Sequence, residues 1–154
     1  MTLLLVYGTM PGMDHITQEK RSWNMRQIAS KNTAPEVIFR KLIHRAGFRY
    51  RLHVKTLPGK PDLVLKKYRT AVFIHGCFWH GHENCKRGNQ PKTNIKYWSE
   101  KIKRNMEKDA KNVIMLKNAD WRIFTVWECE LKKPEDVLKR FQEFIKKASD
   151  ARRT

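Results

Sequence analysis

The sequence predicts an α/β domain, a central mixed β-sheet with helices on its faces, and three observations carry that prediction. Strand-like and helix-like segments interleave along the chain instead of separating into halves. Asp62–Leu65 and Thr70–His75 are strand-like runs joined only by the Lys66–Arg69 turn, which makes them a hairpin. Trp121–Trp127 is apolar on both faces, as a central strand should be.

The elements follow in order. Thr17–Ser30 reads as a short basic helix carrying Trp23, Met25 and Ile28, with Thr17 as its cap. Thr33-Ala34-Pro35-Glu36 is a capping box with proline in the first turn, so a helix should run from Pro35 to Ala46. Val37, Ile38, Leu42 and Ile43 form its apolar stripe, and Gly47 ends it. Phe48–Val54 alternates as a strand does, with Phe48, Tyr50, Leu52 and Val54 on one face. Leu57-Pro58-Gly59-Lys60-Pro61 is a loop, since two prolines and a glycine exclude regular structure. After the hairpin, Gly81–Asn94 is a basic, polar loop. A long helix is expected over Asn94–Lys117, with Trp98, Ile102, Met106, Ala110, Val113 and Ile114 at helical spacing. Pro134 opens a last helix striped by Val137, Leu138, Phe141, Phe144 and Ile145. Residues 17–148 thus form one domain, residues 1–16 a flexible N-terminal extension and residues 149–154 a basic tail.

Charge narrows the function. Thirty-three Lys and Arg against fifteen Asp and Glu give +18, spread along the chain. A folded domain with that excess repels itself unless a polyanion binds it, and nucleic acid is the usual one. Three cysteines cannot pair completely, which argues against a secreted disulfide framework. The opening MTLLLVYG has no basic leader and is too short for a signal core or a membrane span. A cytoplasmic protein without a membrane partner is expected.

The chemistry concentrates in Val72–Cys85, which holds three of the six histidines and two of the three cysteines. Zinc takes four tetrahedral ligands from Cys and His. Cys77, Cys85 and Cys129 with His82 would supply them, or with His80 in place of His82; buried free thiols would satisfy the same pattern without metal. Histidines not used by zinc, His75 and His80 foremost, suit proton transfer near pH 7. Asp62 follows Pro-Gly-Lys-Pro at a strand start, where a carboxylate can hold Mg²⁺ and a water against a phosphate. It could equally accept backbone hydrogen bonds there. Phe78 and Trp79 are a wedge between base pairs if exposed, and core residues if not.

These residues fall into ordered motifs: Asn24-Met25-Arg26, Thr33-Ala34-Pro35-Glu36, Leu57-Pro58-Gly59-Lys60-Pro61-Asp62, His75-Gly76-Cys77-Phe78-Trp79-His80 and Val126-Trp127-Glu128-Cys129. On them the chain resembles the very short patch repair (Vsr) DNA mismatch endonucleases of bacteria, from about Lys20 to Ile145. The resemblance implies a restriction-endonuclease-like fold with a structural zinc site. It also implies a Mg²⁺-dependent nick in one strand, 5′ to the thymine of a T·G mismatch left by deamination of 5-methylcytosine. Asp62 and the backbone carbonyl of Ile74 would bind Mg²⁺, and His80 would act as the acid–base imidazole. His75 would contact phosphate or water, and Glu36 would hold a water in the outer shell, although its capping box already explains it. Cys77, His82, Cys85 and Cys129 match the zinc set. Phe78, Trp79 and Trp98 match an aromatic wedge in the major groove, opposed by Met25 from the minor groove. The implied partners are double-stranded DNA with a T·G mismatch, contacted by a monomer, and, functionally, a cytosine-5 DNA methyltransferase. An endonuclease without mismatch preference and a non-catalytic zinc-stabilised DNA-binding module are the alternatives.

Overall fold

The computed structural model describes residues 17, 19–20, 31–89, 92 and 94–150, the last three by backbone alone. The chain divides into two compact units, residues 1–30 and 31–154. In the first, the Lys20 N–H donates to Thr17 Oγ1 at 3.3 Å, as expected of a cap; Trp23, Met25 and Ile28 lie outside the described residues.

The second unit is an α/β sandwich built on a four-stranded mixed sheet of order β1-β2-β3-β4: β1 Arg51–Leu52, β2 Leu63–Leu65, β3 Thr70–His75 and β4 Arg122–Trp127. The hairpin pairs β2 with β3 antiparallel, Leu63 opposite Val72, and β4 returns parallel to β3 with Thr70 opposite Arg122 and His75 opposite Trp127. Three helices complete it: α1 Ala34–Arg45, α2 Ile95–Asn118 and α3 Pro134–Asp150. Alternation along the strands sends Leu63, Leu65, Val72, Phe124 and Val126 to one face, where they join Phe39 and Ile43 of α1 and Val137, Phe141 and Ile145 of α3. Phe141 is the hub of that core, its ring edge-on to Phe39, Phe48 and Phe124 at centroid distances of 5.0–5.5 Å. Val64 and Ala71 are buried on the other face, and α2 packs against β4. Among the described residues, no helix is long and apolar enough to cross a membrane.

Four expectations need correction. The Phe48–Val54 strand shrinks to Arg51–Leu52, because His53 takes a left-handed conformation (φ 47°) and ends it; Phe48 and Tyr50 pack on the core, but Leu52 is exposed. β4 is an edge strand of the described sheet rather than a central one. In α1, Phe39 faces inward and Ile38 outward. In α2, Met106 and Ile114 are exposed, and the inward face instead runs through Trp98, Ile102 and Leu116.

The capping box also takes another form. Thr33 makes no side-chain cap bond; its hydroxyl donates to Glu36 Oε1, and the Asn32 N–H donates to Glu36 Oε2, both at 2.9 Å. Glu36 is only 6% exposed and has Arg40 at 3.8 Å, so the start of α1 holds a carboxylate in the interior instead of on the surface.

Candidate active site and metal centre

Everything of chemical interest gathers at one end of the sheet, where β2 begins and the parallel strands β3 and β4 end. Asp62 enters β2 with its N–H bonded to the Val72 carbonyl at 3.0 Å, and its side chain reaches across the hairpin to accept the Ile74 N–H at 2.7 Å. The preceding loop is fitted against α2. Gly59 has φ 73°, and a Cβ there would lie 3.0 Å from the Asn112 side chain, so glycine is required on both counts. Burial is the main force on the Asp62 carboxyl and, with Glu36 nearby, pushes it up to about 6 against the opposing pull of the Ile74 bond, His53 and His80. An Asp in this state is poised to gain a cation, whose charge would offset the desolvation.

β3 ends at His75, whose ring stacks on that of His80 with centroids 3.8 Å apart and planes within 5°. Burial, then His80, drives the His75 imidazole down to about 4 despite Asp109, so it is neutral at pH 7. His80 Nδ1 lies 2.5 Å from Asp109 Oδ2. Asp109 is the residue that sequence reasoning missed. It sits on the inward face of α2 among Trp98, Ile102, Asn105, Asn112 and Leu116, a stripe of helical period that is apolar at both ends and polar in the middle. Asn105 uses that position to donate to the Trp79 carbonyl at 2.9 Å. A search for apolar periodicity rejects such a stripe, whereas an acidic residue at i+7 from a buried Ile102 is the signal that would have found it.

Cys77, His82, Cys85 and Cys129 form a second cluster, with all four donor atoms within 4.8 Å of one another. A tetrahedral site with bonds of ~2.3 Å has edges of about 3.8 Å, so this set is close to closing on an ion. His82 Nδ1 is 3.4 Å from Cys129 Sγ, and its ring stacks on Trp127 at 4.1 Å and 3°. The imidazole of this cluster is therefore His82, and His80 is committed to Asp109. Burial raises the Cys77 thiol to about 12 and raises Cys129 as well. Burial also opposes ionisation of Cys85, but the N–H groups of Arg87 and Gly88 and the two other thiols outweigh it and lower its pKa. Three thiols of such unequal acidity, gathered on one imidazole, are suited to a soft cation that displaces their protons.

Gly81 separates the two clusters. The chain turns tightly after β3, with the His80 N–H on the Gly76 carbonyl and the His82 N–H on the Cys77 carbonyl. Between them Gly81 has φ 61°, and a Cβ there would strike Met106 Sδ at 2.7 Å. That left-handed residue sends adjacent histidines to different sites.

Phe78, Trp79 and Trp98 pack edge to face at 5.0–6.0 Å. Trp98 is only 6% exposed and forms the platform on which the half-buried Phe78 and Trp79 rest. Lys101 Nζ lies 5.7 Å from the Trp79 ring and 5.8 Å from Tyr97, which adds positive charge to an aromatic surface. Met25 lies outside the described residues.

A family model described as DNA mismatch endonuclease Vsr matches residues 13–87. The type II nicking enzyme V.NmeAIP of Neisseria meningitidis is 47% identical over 138 residues, 90% of this chain and 98% of that protein. The type II nicking enzyme V.XorIIP of Xanthomonas oryzae is 47% identical over 77% of this chain and 86% of its own. The DNA mismatch endonuclease Vsr of Escherichia coli is 39% identical over 130 residues, 81% of this chain and 83% of its own.

Proposed function

Because the chain belongs to the Vsr family of DNA endonucleases, we propose that it nicks one strand of double-stranded DNA 5′ to the thymine of a T·G mismatch formed by deamination of 5-methylcytosine. The observation that carries the reading is the convergence of a half-buried Asp62 with the His75–His80 stack and Asp109 at the open end of the sheet. On this reading the domain, residues 17–148, is restriction-endonuclease-like, works as a monomer in the bacterial cytoplasm, and serves alongside a cytosine-5 DNA methyltransferase.

Asp62 and the Ile74 carbonyl are the groups that would hold Mg²⁺, which when bound neutralises the scissile phosphate and acidifies the attacking water. Asp109 orients His80: with the Nδ1–H donating to the carboxylate, Nε2 is free to take a proton from water and, once protonated, to give it to the leaving oxygen. His75, neutral and stacked on His80, contacts a phosphate oxygen or the water. Glu36, fixed by Asn32 and Thr33, holds a further water beside Asp62. Asp109→Asn removes the orienting charge, and we expect it to slow nicking about 100-fold or more in single-turnover assays while leaving the melting temperature within a few degrees. Wild-type rates in that variant would assign proton transfer elsewhere.

Cys77, His82, Cys85 and Cys129 are a closed Cys₃His set, which fits structural zinc and leaves no position for chemistry. Phe78 and Trp79 then enter the base stack from the major groove with Trp98 behind them. Unstacking costs a few kcal/mol, least at a mismatch, which favours the lesion over paired DNA. The remaining positive charge grips the backbone without regard to sequence.

The test is a duplex carrying T·G in randomised flanks, with Mg²⁺, against the same library with T·A. Nicking of T·G at the predicted bond is expected. Equal rates on both libraries would select an endonuclease without mismatch preference, and binding without metal-dependent nicking would select a non-catalytic DNA-binding module.

A further inference from the structure

His53 stands beside Asp62 with an unused hydrogen-bonding atom. Arg51 pairs with Val64 and Leu52 with Leu63, so the next rung of the ladder sets His53 opposite Asp62, and the His53 N–H donates to the Asp62 carbonyl at 3.4 Å. There the backbone turns left-handed, at φ 47°, a conformation uncommon outside glycine. His53 Nε2 is buried and meets no hydrogen-bond partner among the described residues. A buried polar atom left unpaired costs free energy, and in a folded protein the exceptions call for a partner that arrives with a ligand or an ion. The Asp62 oxygen Oδ2 accepts from the Ile74 N–H and not from His53, and a DNA strand cannot reach a fully buried ring nitrogen. The charge of His53 is also felt at the Asp62 carboxyl, so the two groups share one electrostatic environment.

We infer that His53 is a positioning residue for the cation site at Asp62, its Nε2 reserved for a hydrogen bond to the hydration shell of a divalent cation held there. The inference rests on the metal-dependent nicking proposed above. Groups in this outer position orient what the cation binds and typically alter metal affinity or activity 10–100-fold.

The test is a Mn²⁺ titration of the full chain by electron paramagnetic resonance, paired with the Mg²⁺ dependence of nicking. His53→Ala is expected to weaken Mn²⁺ binding about 10-fold and to raise the Mg²⁺ midpoint by a similar factor. His53→Gln, which keeps an acceptor and a donor at similar reach, should retain most of the affinity. His53→Asn tolerates the left-handed backbone but is too short to reach, so it should behave as alanine does, and it carries the test if alanine does not fold. Wild-type Mn²⁺ affinity in the alanine and asparagine variants, with affinity lost in Asp62→Asn, would overturn the role of His53 alone. An equal loss in His53→Gln would also overturn it, by making ring shape and not hydrogen bonding the cause. Unchanged Mn²⁺ binding in Asp62→Asn would instead overturn the cation site itself.

Discussion

Asp62→Asn is expected to abolish nicking and, in the same protein, to raise the melting temperature measured without metal. The loss follows from removing the cation's carboxylate, several kcal/mol of transition-state stabilisation and so a rate loss of about a thousandfold or more. The gain follows from the pKa. The folded-state value of about 6 lies above the ordinary 3.8, so folding favours the neutral acid. That stability is fully present below pH 3.8 and is lost as the pH rises through 6, after which the ionised carboxylate carries a penalty of at most about 3 kcal/mol. Asparagine is neutral throughout, so the variant and wild type should melt together near pH 3.5, diverge between about pH 4 and pH 6, and stay apart above it by up to about 10 °C. Mg²⁺ at pH 8 should then stabilise wild type but not the variant. The measurement is a set of calorimetric melts from pH 3.5 to 8, with and without Mg²⁺. A variant less stable than wild type at pH 8 without metal would refute the burial argument, and a Mg²⁺ response retained in the variant would move the cation elsewhere.

Cys129→Ser carries the second large effect, loss of the folded state near physiological temperature. Cys129 and His82, 47 positions apart, are joined through the cysteine–histidine cluster. Closing a loop of that length costs about 4 kcal/mol of chain entropy, by the argument used for disulfides. Little else holds the loop down: Glu83, Asn84, Lys86 and Arg87 are exposed, and the ion pair from Arg87 to Glu128 at 2.7 Å is half in solvent, where such pairs contribute little. A structural zinc, with an apparent binding energy of roughly 10–16 kcal/mol in zinc-finger peptides, exceeds that cost comfortably. About one equivalent of zinc should therefore survive purification, and both chelation and Cys129→Ser should flatten the thermal transition. Metal analysis that finds no zinc in active protein would remove the claim.

The sequence made the hairpin and all three helices legible because each follows from a local rule: a short turn between apolar runs, a proline at a helix start, a stripe of apolar period. It misled where tertiary duty overrides local preference. Phe48–Val54 alternates as a strand does, but the left-handed backbone at His53 ends it. The apolar pattern of α2 assigned Met106 and Ile114 to the interior, although the inward stripe carries Asn105, Asp109 and Asn112 for the site and leaves those two in solvent. Of the candidate site residues, Asp62, His75 and His80 were legible as types in a motif, and the four members of the cysteine–histidine cluster as a composition. What one dimension could not settle was which imidazole joins which cluster, since His80 and His82 differ by two positions. The answer depends on the backbone at Gly81 and on Asp109, which approaches from a helix beginning after the loop has ended.

Gly81 also sets where this chain can change length. Upstream of it, Cys77 is buried, Asn105 holds the Trp79 carbonyl and the His80 N–H bonds the Gly76 carbonyl, so an inserted residue would rotate His80 away from Asp109. Downstream, Glu83 and Asn84 are exposed, and Asn84 already bulges outward at φ 55°, so a residue gained or lost there only resizes a surface turn. Insertions and deletions that preserve activity should therefore fall between His82 and Cys85, and the four residues before Gly81 should tolerate none.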